Sequence, residues 1–264
     1  LKSIGYTISG TGETVLLLHS SMSSKGQWKD LVLQLEKQFQ VIAIDLFGYG
    51  NGPSVDNPAI FSLKDETTHI DQILATRLPK DEPVHIIGHS YGGATALKWV
   101  YDHKERTKSL CLFEPVAFHL LDKKSPAFNE IRKVISQISE YLTKDDERSA
   151  SQYFIDYWSG EGAFQSFPST IQENFISQIQ KVFLDFQALM GEPLRLEDYA
   201  SLVCPLTLIM GTRSPISSRT VAQSLKNRLL HISFHEVDCG HMGPITHPHL
   251  VNPIFLEALE GITK

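Results

Sequence analysis

Two stretches of this 264-residue chain carry residue types that can do covalent chemistry. The first is Gly88-His89-Ser90-Tyr91-Gly92-Gly93, a serine with glycines two positions away on each side. The second is Cys239-Gly240-His241-Met242-Gly243-Pro244, a histidine in a glycine-containing loop near the end of the chain. A serine hydroxyl becomes an effective nucleophile only when an adjacent base takes its proton. The chain has 11 histidines, and His241 is the best candidate for that base because it follows the last strand-like run. Ser90 attacking a carbonyl, with His241 moving the proton, would be acyl transfer.

The elements that must position these residues are legible on either side of them. Residues 84–88 (Val-His-Ile-Ile-Gly) form an apolar, β-branched run, and residues 94–101 have helical spacing. Gly-x-Ser-x-Gly between a strand and a helix is an elbow that lifts the hydroxyl off a sheet edge. A Cβ at position 88 or 92 is expected to collide with that turn. Residues 14–19 and 40–46 read as strands buried on both faces, 2–9 as an edge strand, and 109–113, 205–211 and 232–239 as further strands. Helices are expected over 27–37, over 62–78 with Ser62 as cap and Asp65 three residues on, and over 249–259. From 116 to 200 the sequence shows no convincing strand; 125–142, 147–158 and 168–190 have helical periodicity and many aromatic residues. Strands alternating with helices predict a doubly wound, mostly parallel α/β sheet. The all-helical interval is expected to roof the carboxyl ends of the strands, where ligands bind in such folds.

These pieces, in this order, resemble the α/β-hydrolase superfamily, in particular its capped esterase and lipase-like members. His19-Ser20-Ser21 stands where that family has His-Gly-x, Asp45-Leu46-Phe47-Gly48-Tyr49-Gly50 looks like its Asp-x-x-Gly-x-Gly loop, and the elbow and the His241 loop follow. The resemblance implies a core of residues 1–115 and 201–264, with a helical cap of 116–200 inserted after the sixth strand.

It also exposes a departure. After the seventh strand the family usually carries an Asp; here the segment reads Gly211-Thr212-Arg213-Ser214-Pro215, with Ser214 in that slot. A minority of the family places the acid at the end of the sixth strand, where Glu114 stands. Glu114 is therefore the expected partner of His241, with Asp238 the next candidate and loss of the acid the third reading. The oxyanion formed on attack needs two donors, which the resemblance assigns to the backbone N–H groups of Ser21 and Tyr91. Met22, Trp158 and Met242 are expected to touch substrate. His19 is expected to brace its loop, His89 to be a packed neighbour of the serine, and His247 to neighbour a helix cap.

Composition narrows the partners. A formal charge of -6 argues against nucleic acid and anionic membranes, and no apolar run reaches the ~18–20 residues of a span. Three cysteines without a spacing pattern read as buried free thiols of a cytoplasmic protein, although a signal peptide removed upstream stays open. There is no phosphate loop, dinucleotide fingerprint or metal spacing, so neither cofactor nor metal is expected. The leading expectation is a serine hydrolase acting on a small-to-medium apolar carboxylic ester. Lactonase, thioesterase, carbon–carbon bond hydrolase and perhydrolase would share the same serine and histidine. Haloalkane dehalogenases and epoxide hydrolases would need Asp at position 90. A hydrolase-like sensor of a small apolar ligand is the alternative from a different class.

Overall fold

A computed structural model of the chain describes residues 5–229 and 231–263. The strands are β1 (Tyr6–Ser9), β2 (Glu13–Leu18), β3 (Phe39–Ile44), β4 (Val84–His89), β5 (Thr107–Phe113), β6 (Leu206–Gly211) and β7 (Ile232–Val237). They form one sheet in the order β1-β3-β2-β4-β5-β6-β7, antiparallel only where β1 pairs with β3. The helices are α1 (Lys29–Leu35), α2 (Leu63–Ala75), α3 (Tyr91–Asp102), α4 (Pro126–Leu142), α5 (Glu147–Ser159), α6 (Ala163–Ser166), α7 (Ser169–Gly191), α8 (Leu196–Tyr199), α9 (Ile216–Arg228), α10 (Gly243–Thr246) and α11 (Pro248–Thr263).

The continuous apolar runs make sense in this sheet because successive side chains serve opposite faces. Val15 and Leu17 of β2 join Leu31 and Leu35 of α1 and Val251 and Phe255 of α11 in one core. Leu16 and Leu18 join α2, α3 and α9 in the other. The strand order reverses between β2 and β4, so the loops leaving these neighbouring strands diverge and open a crevice at their carboxyl ends. The loop carrying Ser21 and the elbow carrying Ser90 leave from those two strands.

Helices α4 to α8 lie between β5 and β6, and no strand is found among the described residues of that interval. The segment therefore follows the fifth strand of this chain, not the sixth. The sequence itself contains only five strand-like runs before Glu114, and the higher number belonged to the family's count. The edge strand expected over 2–9 is seen as β1, with residues 2–4 outside the described ones. Helix α2 stops at Ala75 rather than at 78, because Thr76 caps it through its N–H to Ile73 and Leu74 carbonyls. Cys111 and Cys239 are buried free thiols, but Cys204 is only half-buried, since it precedes β6 in a surface turn. Among the described residues no helix is long and apolar enough to cross a membrane.

Candidate active site

Ser90 sits between the last residue of β4 and the first of α3, with φ 56° and ψ −118°. That conformation is strained for a non-glycine residue and points the side chain out of the turn. The glycines permit it by close packing. A Cβ on Gly92 would lie 2.4 Å from the His19 and Leu18 carbonyl oxygens, and one on Gly88 would lie 2.6 Å from the Gly92 oxygen.

His241 follows β7 and is buried. Its Nε2 is 2.8 Å from Ser90 Oγ and its Nδ1 is 2.5 Å from Glu114 Oε2. With Nδ1–H donated to the carboxylate, Nε2 is left to accept the serine proton. Glu114, at the tip of β5, is fully buried; its other oxygen, Oε1, accepts from the Gly211 N–H at 2.7 Å. Both carboxylate oxygens are thereby satisfied, as a buried charge requires. The structure thus brings Ser90, His241 and Glu114 into one hydrogen-bonded row.

The other acid candidates fall elsewhere. Asp238 is 79% exposed and pairs with Arg213 on the surface. Ser214 is buried with its hydroxyl unpartnered among the described residues, so no carboxylate stands in that slot.

Around the row, two histidines act as braces. His19 accepts from the Leu46 N–H at 3.0 Å through Nε2 and bonds the Ser20 carbonyl through Nδ1 at 2.7 Å, tying two loops together. Burial pushes its pKa down to about 4, which keeps it neutral and suited to accept. His89 contacts the His241 carbonyl at 2.8 Å, and its other nitrogen contacts Gln27 Nε2 at 3.1 Å. Burial, first, and then nearby His241 hold His89 well below the ordinary range. His247 closes α10 and contacts the Thr246 hydroxyl.

Gln27 was not singled out in the sequence. Its Oε1 accepts from both the N–H and the hydroxyl of Ser20, so it fixes the loop that carries Ser21 and, through His89, the backbone of His241. The only advance signal was its place three residues after a Ser-rich loop.

Ser90, His241, Ser21, Met22, Trp158 and Met242 share the wall of a cavity of about 300 Å³. Phe154, Ile155 and Phe175 make the rest of its wall largely apolar, and no Lys, Arg, Asp or Glu lines it among the described residues. The Trp158 ring, from α5, lies 4.0 Å from the His241 ring centroid to centroid. No group of His, Cys, Asp and Glu able to hold a metal is found among the described residues.

Comparison with known proteins agrees with this fold. The model of a family described as "Alpha/beta hydrolase family" matches residues 15–254. A soluble epoxide hydrolase of Corynebacterium sp. is 30% identical over 112 residues, 42% of this chain and 37% of that enzyme, so the chain spans well under half of that relative. A solved structure of an enol-lactonase from Burkholderia xenovorans LB400 superposes with TM-score 0.80 at 17% identity, covering 97% of this chain and 95% of the other. An esterase from Thermogutta terrifontis superposes with TM-score 0.79 at 21% identity, covering 98% and 93%. At those identities the likeness is one of fold.

Proposed function

This chain belongs to the alpha/beta hydrolase family, and from that premise we propose that it is a serine hydrolase cleaving small-to-medium apolar carboxylic esters. The observation that carries the reading is the row Glu114–His241–Ser90 opening on an uncharged, apolar cavity. Ser90 Oγ attacks the ester carbonyl while its proton passes to His241 Nε2. The imidazolium is stabilised by Glu114, and the oxyanion is met by the N–H groups of Ser21 and Tyr91. The carbon–oxygen bond to the alcohol then breaks, and the alcohol leaves with the proton from His241. Water, deprotonated by the same nitrogen, releases the acid and restores Ser90.

In this account residues 116–200 form a cap over a core of 1–115 and 201–264, with Trp158 as its contact to the catalytic histidine. The partner is a neutral small molecule. The esterase name of one structural neighbour supports this reading. The epoxide hydrolase among the relatives supports the fold more than the chemistry, since Ser90 stands where that activity would need Asp. The sensor alternative drew on the missing acid after the seventh strand. The Glu114–His241 bond weighs against that ground, while Ser20, which also motivated the sensor reading, still stands where the family has glycine.

A series of p-nitrophenyl esters tests the reading. Each buried CH₂ contributes about 0.8 kcal/mol, so kcat/KM should rise roughly fourfold per added carbon and then level off as the cavity fills. Ser90→Ala should abolish turnover. Full turnover by Ser90→Ala, or a preference for charged over apolar acyl groups, would overturn it.

A further inference from the structure

Behind the proposed oxyanion donors lies a buried ionic cluster that none of the catalytic motifs contains. Lys181 and Asp185 project from the middle of α7 and are 7% and 2% exposed; Glu66, from α2, is fully buried. Lys181 Nζ bonds Asp185 Oδ1 and reaches Glu66 Oε1 at 3.3 Å. It also lies 4.7 Å from the ring centroids of both Tyr49 and Tyr91.

What the two carboxylates hold is specific. Asp185 Oδ2 accepts from Ser21 Oγ at 2.6 Å and from the Tyr49 hydroxyl. Glu66 Oε1 accepts from the Tyr91 hydroxyl at 3.0 Å. Ser21 and Tyr91 are the two residues whose backbone N–H groups would meet the oxyanion, and each is gripped through its side chain by this one cluster.

We propose that Lys181 and Asp185 are positioning residues for catalysis, holding both oxyanion donors in place from the cap helix: Ser21 directly and Tyr91 through Glu66. This inference rests on the acyl-transfer reading above.

A simpler role, as a pin between helices, does not account for the arrangement. Within a helix, a cation four residues ahead of an anion is the weaker order, so the pair does little for α7 itself. Buried ion pairs also stabilise folds poorly compared with apolar residues of the same size. The loop they grip does need holding. Met22, directly after Ser21, has φ 57°, a left-handed conformation that persists only where surrounding contacts enforce it. The hydrogen bond that Ser21 Oγ donates to Asp185 is such a contact. Burial pushes both carboxyl groups up, and Lys181 opposes that shift in each.

The test measures kcat and KM on an apolar p-nitrophenyl ester, with active-site concentrations fixed by fluorophosphonate titration, for wild type, Lys181→Met, Asp185→Ala, Ser21→Ala and Ser21→Thr. Misplacing a catalytic donor by about 1 Å costs on the order of 100-fold. Lys181→Met and Asp185→Ala should therefore lower kcat roughly 10- to 100-fold, with KM changed by less than about threefold. Ser21→Ala should lower kcat about tenfold, and Ser21→Thr, which keeps a hydroxyl, should recover most of it. A mere pin would lower the Tm but leave kcat per titrated site unchanged. Folded variants with kcat within twofold of wild type, or with losses confined to KM, would overturn the proposal. If the α7 variants fail to fold, the Ser21 pair decides alone. A wild-type protein that neither turns over ester nor reacts with fluorophosphonate would instead remove the acyl-transfer reading, and this proposal with it.

Discussion

Glu114 adopts φ 41° at the tip of β5, a conformation that costs a non-glycine residue on the order of 1 kcal/mol or more. The cost is offset locally: its backbone N–H bonds the Ile209 carbonyl, and its two oxygens bond Gly211 and His241. A buried carboxylate so arranged fixes the imidazole's tautomer. Glu114→Gln should therefore lower kcat by roughly 10²- to 10⁴-fold, whereas Asp238→Asn should leave it within about twofold, because Asp238 faces solvent. Steady-state kinetics of the two variants checks this, and the reverse ranking would contradict it. Glu114 was legible because the usual slot held Ser214 and an acid stood at another strand end. Gln27, Lys181, Asp185 and Glu66 were not. The contacts that tie them to the site span long stretches of sequence, 62 positions for Gln27 and His89 and 164 for Ser21 and Asp185, and no local pattern marks those.

At the scale of elements, the elbow shows how little freedom the turn at Ser90 has. A Cβ at position 92 would meet backbone oxygens of the β2 loop at 2.4 Å, and backbone cannot swing aside as a side-chain tip can. Gly92→Ala should cost the ~1–3 kcal/mol typical of overpacking or more, and the Tm should drop by roughly 2–12 °C for a chain of this size. An unchanged melting curve would mean that the loop after β2 does not abut the elbow. This loop and the elbow must touch because β2 and β4 are hydrogen-bonded neighbours. Element identities were legible from periodicity: buried strands read as continuous apolar runs, and α4, α5 and α7 lie within a residue or so of their expected bounds. Helix ends were less so, as at Thr76, where the stop is set by a capping bond rather than by a breaker residue.

At the scale of the whole molecule, parallel strands end on one side, so residues far apart in the chain meet there; Ser90 and His241 are 151 positions apart. The sequence order of the motifs made that convergence readable. The cavity's volume, its uncharged lining and the contact of Trp158 with His241 were not readable, since each depends on how α5 and α7 settle over the sheet. The central claim is that this convergence makes Ser90 a nucleophile activated by His241. The most direct measurement is labelling with a serine-directed fluorophosphonate, the adduct being located by mass spectrometry in wild type and in His241→Ala. The account predicts a single adduct on Ser90 that forms in wild type and is lost in His241→Ala. A folded wild-type protein without that adduct, or equal labelling without His241, would contradict it.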